Sequence, residues 1–392
     1  MQLSSAQTSY TPKMLHRCRE RLVPKRFDYT DLRILEAAGI HGPRNVSLAA
    51  RELGLPTEMV RRRIKRMMSK NLLWFHVNIY HTNLGLRKAV VFIDAVPGYE
   101  KLVSKCLKAN DFWKYTSNCY GRFEGCVGVF TIPEKHCDDF ETFVGEFTDL
   151  GIATRTQIFW STCFQQNNPT TDWFNSKTSE WNFPWEEWMR EIPCIEPRLP
   201  FTLKDPKEFA LKGDLFDILI LKEMEKDALI SFTDIGKKIG LTKAGVRYHY
   251  QEHVIKMGLL EGFEVELIPF NETTSDFYFF SFTFPDMDKM GKFALSLLKK
   301  PFVFSLGKIL CQPGMISQMY FPRDQFPHFK ECLSALIREG LLLNYDYVIQ
   351  YRGEWARQTI SYEFFKNENW VYEHERHISS LRDTVIENRL HV

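Results

Sequence analysis

Between Thr57 and Lys70 the chain carries six bases, Arg61, Arg62, Arg63, Lys65, Arg66 and Lys70, against one acid, Glu58. Cations at that density suit phosphate contact, and arginine adds bidentate recognition of guanine edges. Val60, Ile64 and Met67 recur at helical spacing, which places most of the bases on the opposite face of one helix. Thr57, Glu58, Arg61, Arg62 and Lys65 are expected to face a nucleic-acid groove, while Arg63 and Arg66 reach phosphates or brace the fold. A solvated surface helix is the competing account, but it leaves the Gly54-Leu55-Pro56 turn before the helix and the excess of one sign unexplained. A second basic stretch holds Lys13, Arg17, Arg19, Arg21, Lys25 and Arg26. It reads equally as an arm toward the DNA backbone or minor groove and as a surface helix packed through Met14, Leu15 and Leu22.

Other reactive residue types have blander readings. Cys119, Cys126, His136 and Cys137 match no common zinc spacing and read as buried structural thiols. His374 and His377 stand three apart on a polar C-terminal helix and read as solvated surface. Trp160, Trp173, Trp181, Trp185 and Trp188 crowd one segment with few bases beside them, which favours anchoring of a connector over stacking of single-stranded bases. No GxGxxG, P-loop or nucleophile elbow occurs, and no Ser/His/Asp set can be nominated. The expectation is therefore no catalytic residue, no metal, no cofactor and no enzymatic activity.

The elements that must position the basic helix occur twice. Ala49-Ala50-Arg51-Glu52-Leu53-Gly54-Leu55 is echoed 186 positions later by Ile235-Gly236-Lys237-Lys238-Ile239-Gly240-Leu241. Val60-Arg61 matches Val246-Arg247, and Leu72-Leu73 matches Leu259-Leu260 after one inserted residue. At an offset of 189, Pro133 matches Pro322, Phe140 matches Phe329 and Gly151 matches Gly340. Each copy opens with three helical patterns, the last two joined by a short Gly turn, which is the helix-turn-helix pattern. Leu72 to Tyr80 is strand-like and could supply a wing. Each copy then changes period to strand-helix-strand-strand-helix-strand, the ferredoxin-like order.

The predicted fold is α+β: two tandem copies of a winged helix-turn-helix followed by a ferredoxin-like (βαββαβ) domain, paired as an intrachain pseudo-dimer. Boundaries are expected at 1–26 (basic arm), 27–80 and 81–160 (first copy), 161–205 (Trp-rich connector), 206–268 and 269–350 (second copy) and 351–392 (tail with a helix). In the second copy the groove-facing positions are Thr242, Lys243, Arg247, Tyr248 and Gln251, fewer of them basic. The net charge is only +2, so the basic helix is hidden in the whole-chain balance. Hydrophobic residues at 44% and charged residues at 26% exclude wholesale disorder. The longest apolar run, Ala89 to Val96, is broken by Asp94 and is far too short for a membrane span. The start of the chain lacks a signal-peptide core, and nine cysteines without CxxC pairs suit a reducing compartment. A cytoplasmic chain with no membrane partner is expected.

The run from Gly54 to Met67, ending in Asn71-Leu72-Leu73, resembles the helix-turn-helix of the Lrp/AsnC regulators. That family joins this domain to a ferredoxin-like effector-binding and dimerising domain. The resemblance covers roughly 27 to 160 and 214 to 350. It implies a sequence-specific transcriptional regulator with double-stranded DNA as partner, and it leaves open a homodimer of the pseudo-dimer. The family's effector turn has a match in Gly121-Arg122-Phe123-Glu124, so Gly121 and Glu124 are the implied effector-binding residues. The second copy reads Cys311-Gln312-Pro313-Gly314 there and lacks the pattern. Siroheme decarboxylases resemble the same two-part unit and act as paired subunits, so tetrapyrrole chemistry is the alternative.

Overall fold

The computed structural model describes residues 27–70, 73–162 and 164–389, and the basic arm expected over 1–26 lies outside them. The first copy builds three helices, α1 (Tyr29–His41), α2 (Val46–Leu53) and α3 (Thr57–Ser69), then strand β1 (Leu73–Ile79). It continues as β2 (Leu86–Ala95), α4 (Glu100–Leu107), β3 (Trp113–Gly121), β4 (Gly125–Pro133), α5 (Cys137–Asp149) and β5 (Ala153–Ser161). A connector with three two-residue strands, β6 (Gln165–Gln166), β7 (Phe174–Asn175) and β8 (Glu180–Trp181), leads to α6 (Trp185–Glu191). The second copy brings α7 (Leu215–Lys226), α8 (Phe232–Ile239), α9 (Lys243–Tyr248) and β9 (Leu260–Leu267). After these come β10 (Ser275–Thr283), α10 (Met287–Leu297), β11 (Val303–Ile309), β12 (Gly314–Pro322), α11 (Phe326–Arg338), β13 (Asn344–Arg357) and α12 (His374–Arg389).

The fold is α+β and the duplication is metric. Strands β4 and β12 both have nine residues and begin 189 positions apart, and helices α5 and α11 both have thirteen at the same offset. Gly151 and Gly340, which follow those helices, share a left-handed φ of 66° and 70°, a conformation glycine adopts without Cβ strain. Each βαββαβ run pairs its strands in the order fourth, first, third, second: β5-β2-β4-β3 and β13-β10-β12-β11.

Contacts divide the described chain into two compact units. One holds Leu86–Trp160 and the chain from Gln350 onward; the other holds the chain up to Gly85 and Ser161–Ile349, with both helix-turn-helix copies inside it. In this second unit the strand expected to supply a wing pairs with its counterpart from the other copy. Strands β1 and β9 run antiparallel from Leu73↔Leu267 to Ile79↔Leu260. Leu73, Phe75, Val77 and Ile79 alternate along β1 and are all buried, as period-two side chains on one covered face must be. Leu73, Phe75 and Val77 close a core shared by Leu32, Leu35, Val60 and Ile64 of the first copy and Ile220, Met224, Ile235 and Val246 of the second. The ribbon pairs each strand and gives the two copies one core, which makes the helix-turn-helix half a pseudo-dimer.

The same unit buries the connector. Trp185 and Trp188 lie in the aromatic core with Phe302, Phe321 and Phe329, the Trp185 and Phe302 ring centroids being 5.3 Å apart. Indoles bury large apolar areas, so these two residues pin the segment to the second sheet.

In the first unit β2 and β4 approach closely at Gly125. A Cβ there would lie 2.5 Å from the Ile93 carbonyl oxygen and 2.9 Å from the Ala95 nitrogen, both backbone atoms of β2. Gly125→Ala is expected to destabilise this unit by about 1–3 kcal/mol, read as a drop in denaturation midpoint. An unchanged midpoint would contradict the contact.

Helix α12 packs on α4 and α5, and this corrects the solvated reading of His377. His377 is fully buried beside Phe112 and Tyr372, and His374 is half-buried. The Nε2–H of His377 donates to Asp111 Oδ2 at 2.9 Å, and its Nδ1 has no partner among the described residues. Burial, reinforced by the neighbouring Arg376 cation, lowers its pKa to about 4. The unfolded chain would carry this proton below about 6.5, the folded one only near 4. Unfolding therefore takes up a proton between those values, and stability falls as pH drops through them. The expected loss is of the order of 2–3 kcal/mol by pH 4, and His377→Gln should flatten it in unfolding curves taken across that window.

Candidate nucleic-acid interface

In the first copy, α1 starts at Asp28 with a reciprocal capping box to Asp31. Helix α2 ends at Gly54, whose φ of 65° turns the chain and whose N–H reaches the carbonyls of Ala50 and Arg51. Pro56, at φ −59°, then launches α3. Val60, Ile64 and Met67 are buried, and Glu58, Arg61, Arg62, Lys65 and Arg66 are exposed, with Thr57 and Arg63 half-buried.

The six bases divide into two groups. Arg63 Nη1 donates to Asp28 Oδ2 at 2.7 Å and to Asp31 Oδ1 at 2.8 Å, while Arg66 Nη2 donates to Asp31 Oδ2 at 2.7 Å. Asp31 is buried, so these two arginines neutralise a carboxylate withdrawn from water and fasten α3 to α1. Burial pushes the Asp28 carboxyl up, but the Arg63 hydrogen bond and the Asp31 N–H outweigh it and the net shift is downward. Arg63 is held more basic than usual, foremost by its hydrogen bond to Asp28. Among the described residues Arg61 pairs only with exposed Glu58, at 2.5 Å, an interaction worth about 0–1 kcal/mol. Arg62 and Lys65 form no ion pair among the described residues.

The second copy departs at one point. Thr242 Oγ1 accepts the Gly245 N–H at 3.1 Å and caps α9, which runs six residues before widening into a π-helical segment, His249–Ile255. The residue that shifts the repeat offset from 186 to 187 is absorbed there as a π-turn. Thr242, Lys243, Arg247, Tyr248 and Gln251 are all exposed. Behind them Asp214 and Asp217 repeat the capping box, and His249 and His253 stand where Arg63 and Arg66 do. His249 Nδ1 lies 2.8 Å from Asp217 Oδ1 and His253 Nδ1 3.0 Å from Asp217 Oδ2. The sequence reading passed over these four residues, although the repeat offsets applied to Asp31, Arg63 and Arg66 lead to three of them.

Gly121 and Glu124 fall in the other unit, Gly121 as the last residue of β3 and Glu124 just before β4, both exposed. Gly121 has φ 116°, open to glycine, and the Glu124 N–H donates to Asp94 Oδ1 at 2.8 Å. Arg155 braces the turn, donating to the Arg122 carbonyl and lying 4.1 Å over the Phe123 ring. Cys119 and Cys126 are buried in the same unit, and burial drives both thiols up, Cys126 to about 12, so neither is a ready nucleophile.

A family model described as "Winged helix-turn-helix DNA-binding" matches residues 214–252, the second copy. No curated protein matches the chain in sequence. Among solved structures, the siroheme decarboxylase NirDL aligns over 92% of this chain and 99% of its own, at 10% identity and a TM-score of 0.48. AsnC of Escherichia coli aligns over 36% of this chain and 92% of its own, at 13% identity and a TM-score of 0.28. LrpC of Bacillus subtilis aligns over 36% and 93%, at 14% identity and a TM-score of 0.28. Against the expectation of no enzymatic activity, the structure that aligns along nearly the whole chain is described as that of a decarboxylase. No helix among the described residues is long and apolar enough to cross a membrane. What stands beside the geometry is narrower than a family: the chain carries a winged helix-turn-helix of DNA-binding type.

Proposed function

We propose that this protein binds double-stranded DNA in a sequence-specific manner through α3 and α9, as a transcriptional regulator of the Lrp/AsnC kind. The observation that supports this reading is the division of labour on α3. Arg63 and Arg66 are engaged with α1, while Arg61, Arg62 and Lys65 stand together on the solvent face opposite Val60, Ile64 and Met67. Positive side chains on the exposed face of the second helix after a Gly turn suit both phosphates and base edges. Lys243 and Arg247 offer a weaker second contact, so the two copies would read unlike half-sites. The Gly121–Glu124 turn is our candidate for a small-molecule effector contact.

Fluorescence anisotropy tests this, with labelled duplex from the protein's own upstream DNA beside a scrambled duplex, across a salt series. Tighter binding to the native sequence with a steep negative salt slope is the expected result. Equal or absent binding to both duplexes would remove the reading.

A second reading, tetrapyrrole chemistry of the siroheme-decarboxylase kind, draws on the presence of two complete two-part units in one chain. The NirDL enzyme has also been captured with an iron-uroporphyrin III analogue. Titration with an iron uroporphyrin separates the two: a shifted Soret band that saturates favours the enzyme, and an unchanged spectrum leaves the regulator.

A further inference from the structure

We propose that Asp214, Asp217, His249 and His253 form a binding site for a divalent transition-metal ion of the zinc class, joining α7 to the π-helical continuation of α9. One ligand atom from each of the four residues lies within 4.8 Å of the others. His249 Nδ1 is 2.8 Å from Asp217 Oδ1 and 3.6 Å from Asp214 Oδ2. His253 Nδ1 is 3.0 Å from Asp217 Oδ2 and 3.7 Å from Asp214 Oδ2. A tetrahedral ion with bonds of roughly 2.0–2.1 Å needs ligand atoms about 3.3 Å apart; the separations from the histidines to Asp217 fall inside that value, each to a different oxygen, and those to Asp214 Oδ2 fall just beyond it. Two imidazole nitrogens with two carboxylate oxygens are a borderline donor set, suited to zinc and its neighbours rather than to magnesium or calcium.

The first copy shows what the arrangement is when it cannot take a metal. There the same capping box is met by Arg63 and Arg66, whose guanidiniums have no lone pair to offer. In the second copy both arginine positions are histidine, and both histidines turn Nδ1 inward onto the same pair of acids. Both histidines sit in the π-helical segment that absorbs the inserted residue, and their ring centroids are 4.8 Å apart. Asp214 uses Oδ1 to accept the Asp217 N–H, and its Oδ2 is beyond hydrogen-bond reach of either imidazole yet close enough to share an ion with both. Burial is graded as an ion site requires. The Asp217 side chain is 0% exposed, those of His249 and His253 are 15% and 21%, and that of Asp214 is 36%, which leaves one side open for entry. The capping box orients the carboxylates in advance, the support that metal ligands normally draw from their surroundings.

The ion holds the first helix of the copy to the helix that displays Lys243, Arg247 and Tyr248. The site itself does not depend on the proposed DNA reading, and its test uses no DNA. Full-length protein without a histidine tag is titrated with Co(II), followed by Zn(II). The expected result is intense visible bands of four-coordinate Co(II) that saturate at one ion per chain and vanish on zinc addition, with a zinc-dependent rise in Tm. The double variant His249→Arg and His253→Arg copies the first helix-turn-helix, so it should fold, show no bands and lose the zinc effect on Tm. Asp214→Asn keeps a good N-cap and both histidines, and is expected to weaken Co(II) binding at least about tenfold. Absent bands with a zinc-independent Tm in the native protein would mean that the cluster is only a pair of histidine–carboxylate bonds. Bands that survive in the arginine double variant would place the metal elsewhere. Either result overturns the proposal.

Discussion

Alanine at Arg61, Arg62 and Lys65 together is expected to lower affinity for the native duplex by at least about a hundredfold and to make the log–log salt slope shallower by about 2–3. Each phosphate contact adds about 0.9 to that slope, and each bidentate base contact discriminates by about 1–3 kcal/mol, so three lost cations must register in one or both quantities. All three side chains project from the exposed face of α3, and among the described residues their only ion pair is the weak one from Arg61 to Glu58. The fold should therefore survive, with the melting curve unchanged. Anisotropy titrations of native and scrambled duplexes at several salt concentrations read out both effects. Wild-type affinity and slope in the triple variant would exclude α3 as the nucleic-acid surface.

Asp31→Ala is expected to destabilise the same half by about 2–4 kcal/mol. The carboxylate is buried, closes the capping box of α1 and accepts from both Arg63 and Arg66. Loss of an N-terminal capping interaction alone removes about 0.5–2 kcal/mol, and stranding a partly buried guanidinium adds to it. The total stays below the cost of breaking a fully buried pair because Arg63 is 24% and Arg66 46% exposed and both can turn to water. Urea unfolding followed by helix signal gives the measurement. A change below about 0.5 kcal/mol, the scale of ordinary surface substitutions, would show that α1 and α3 are held by apolar packing alone.

Copy number, element order and the basic face were legible because they are local or periodic properties. A helix needs only its spacing of Val60, Ile64 and Met67, and a turn needs only Gly54 or Gly240 at a left-handed φ. Even the inserted residue of the second copy was visible as a slip in the repeat, though its outcome as a π-turn was not. The expectation of no enzymatic activity rested on motifs alone, and the absence of a recognised catalytic pattern says nothing about chemistry built from dispersed side chains.

By itself, then, the sequence determined the tandem α+β plan and the placing of cations opposite an apolar stripe, because both follow from backbone periodicity and side-chain type. Only the tertiary structure decided which charges remain available. It turned Arg63 and Arg66 onto Asp31, set His249 and His253 on Asp217, buried His377 against Phe112 and drew β1 into a ribbon with β9. Each of those outcomes depends on which residues distant in the chain come within a few ångströms, and a buried charge or unpaired strand must find whatever partner the packing supplies.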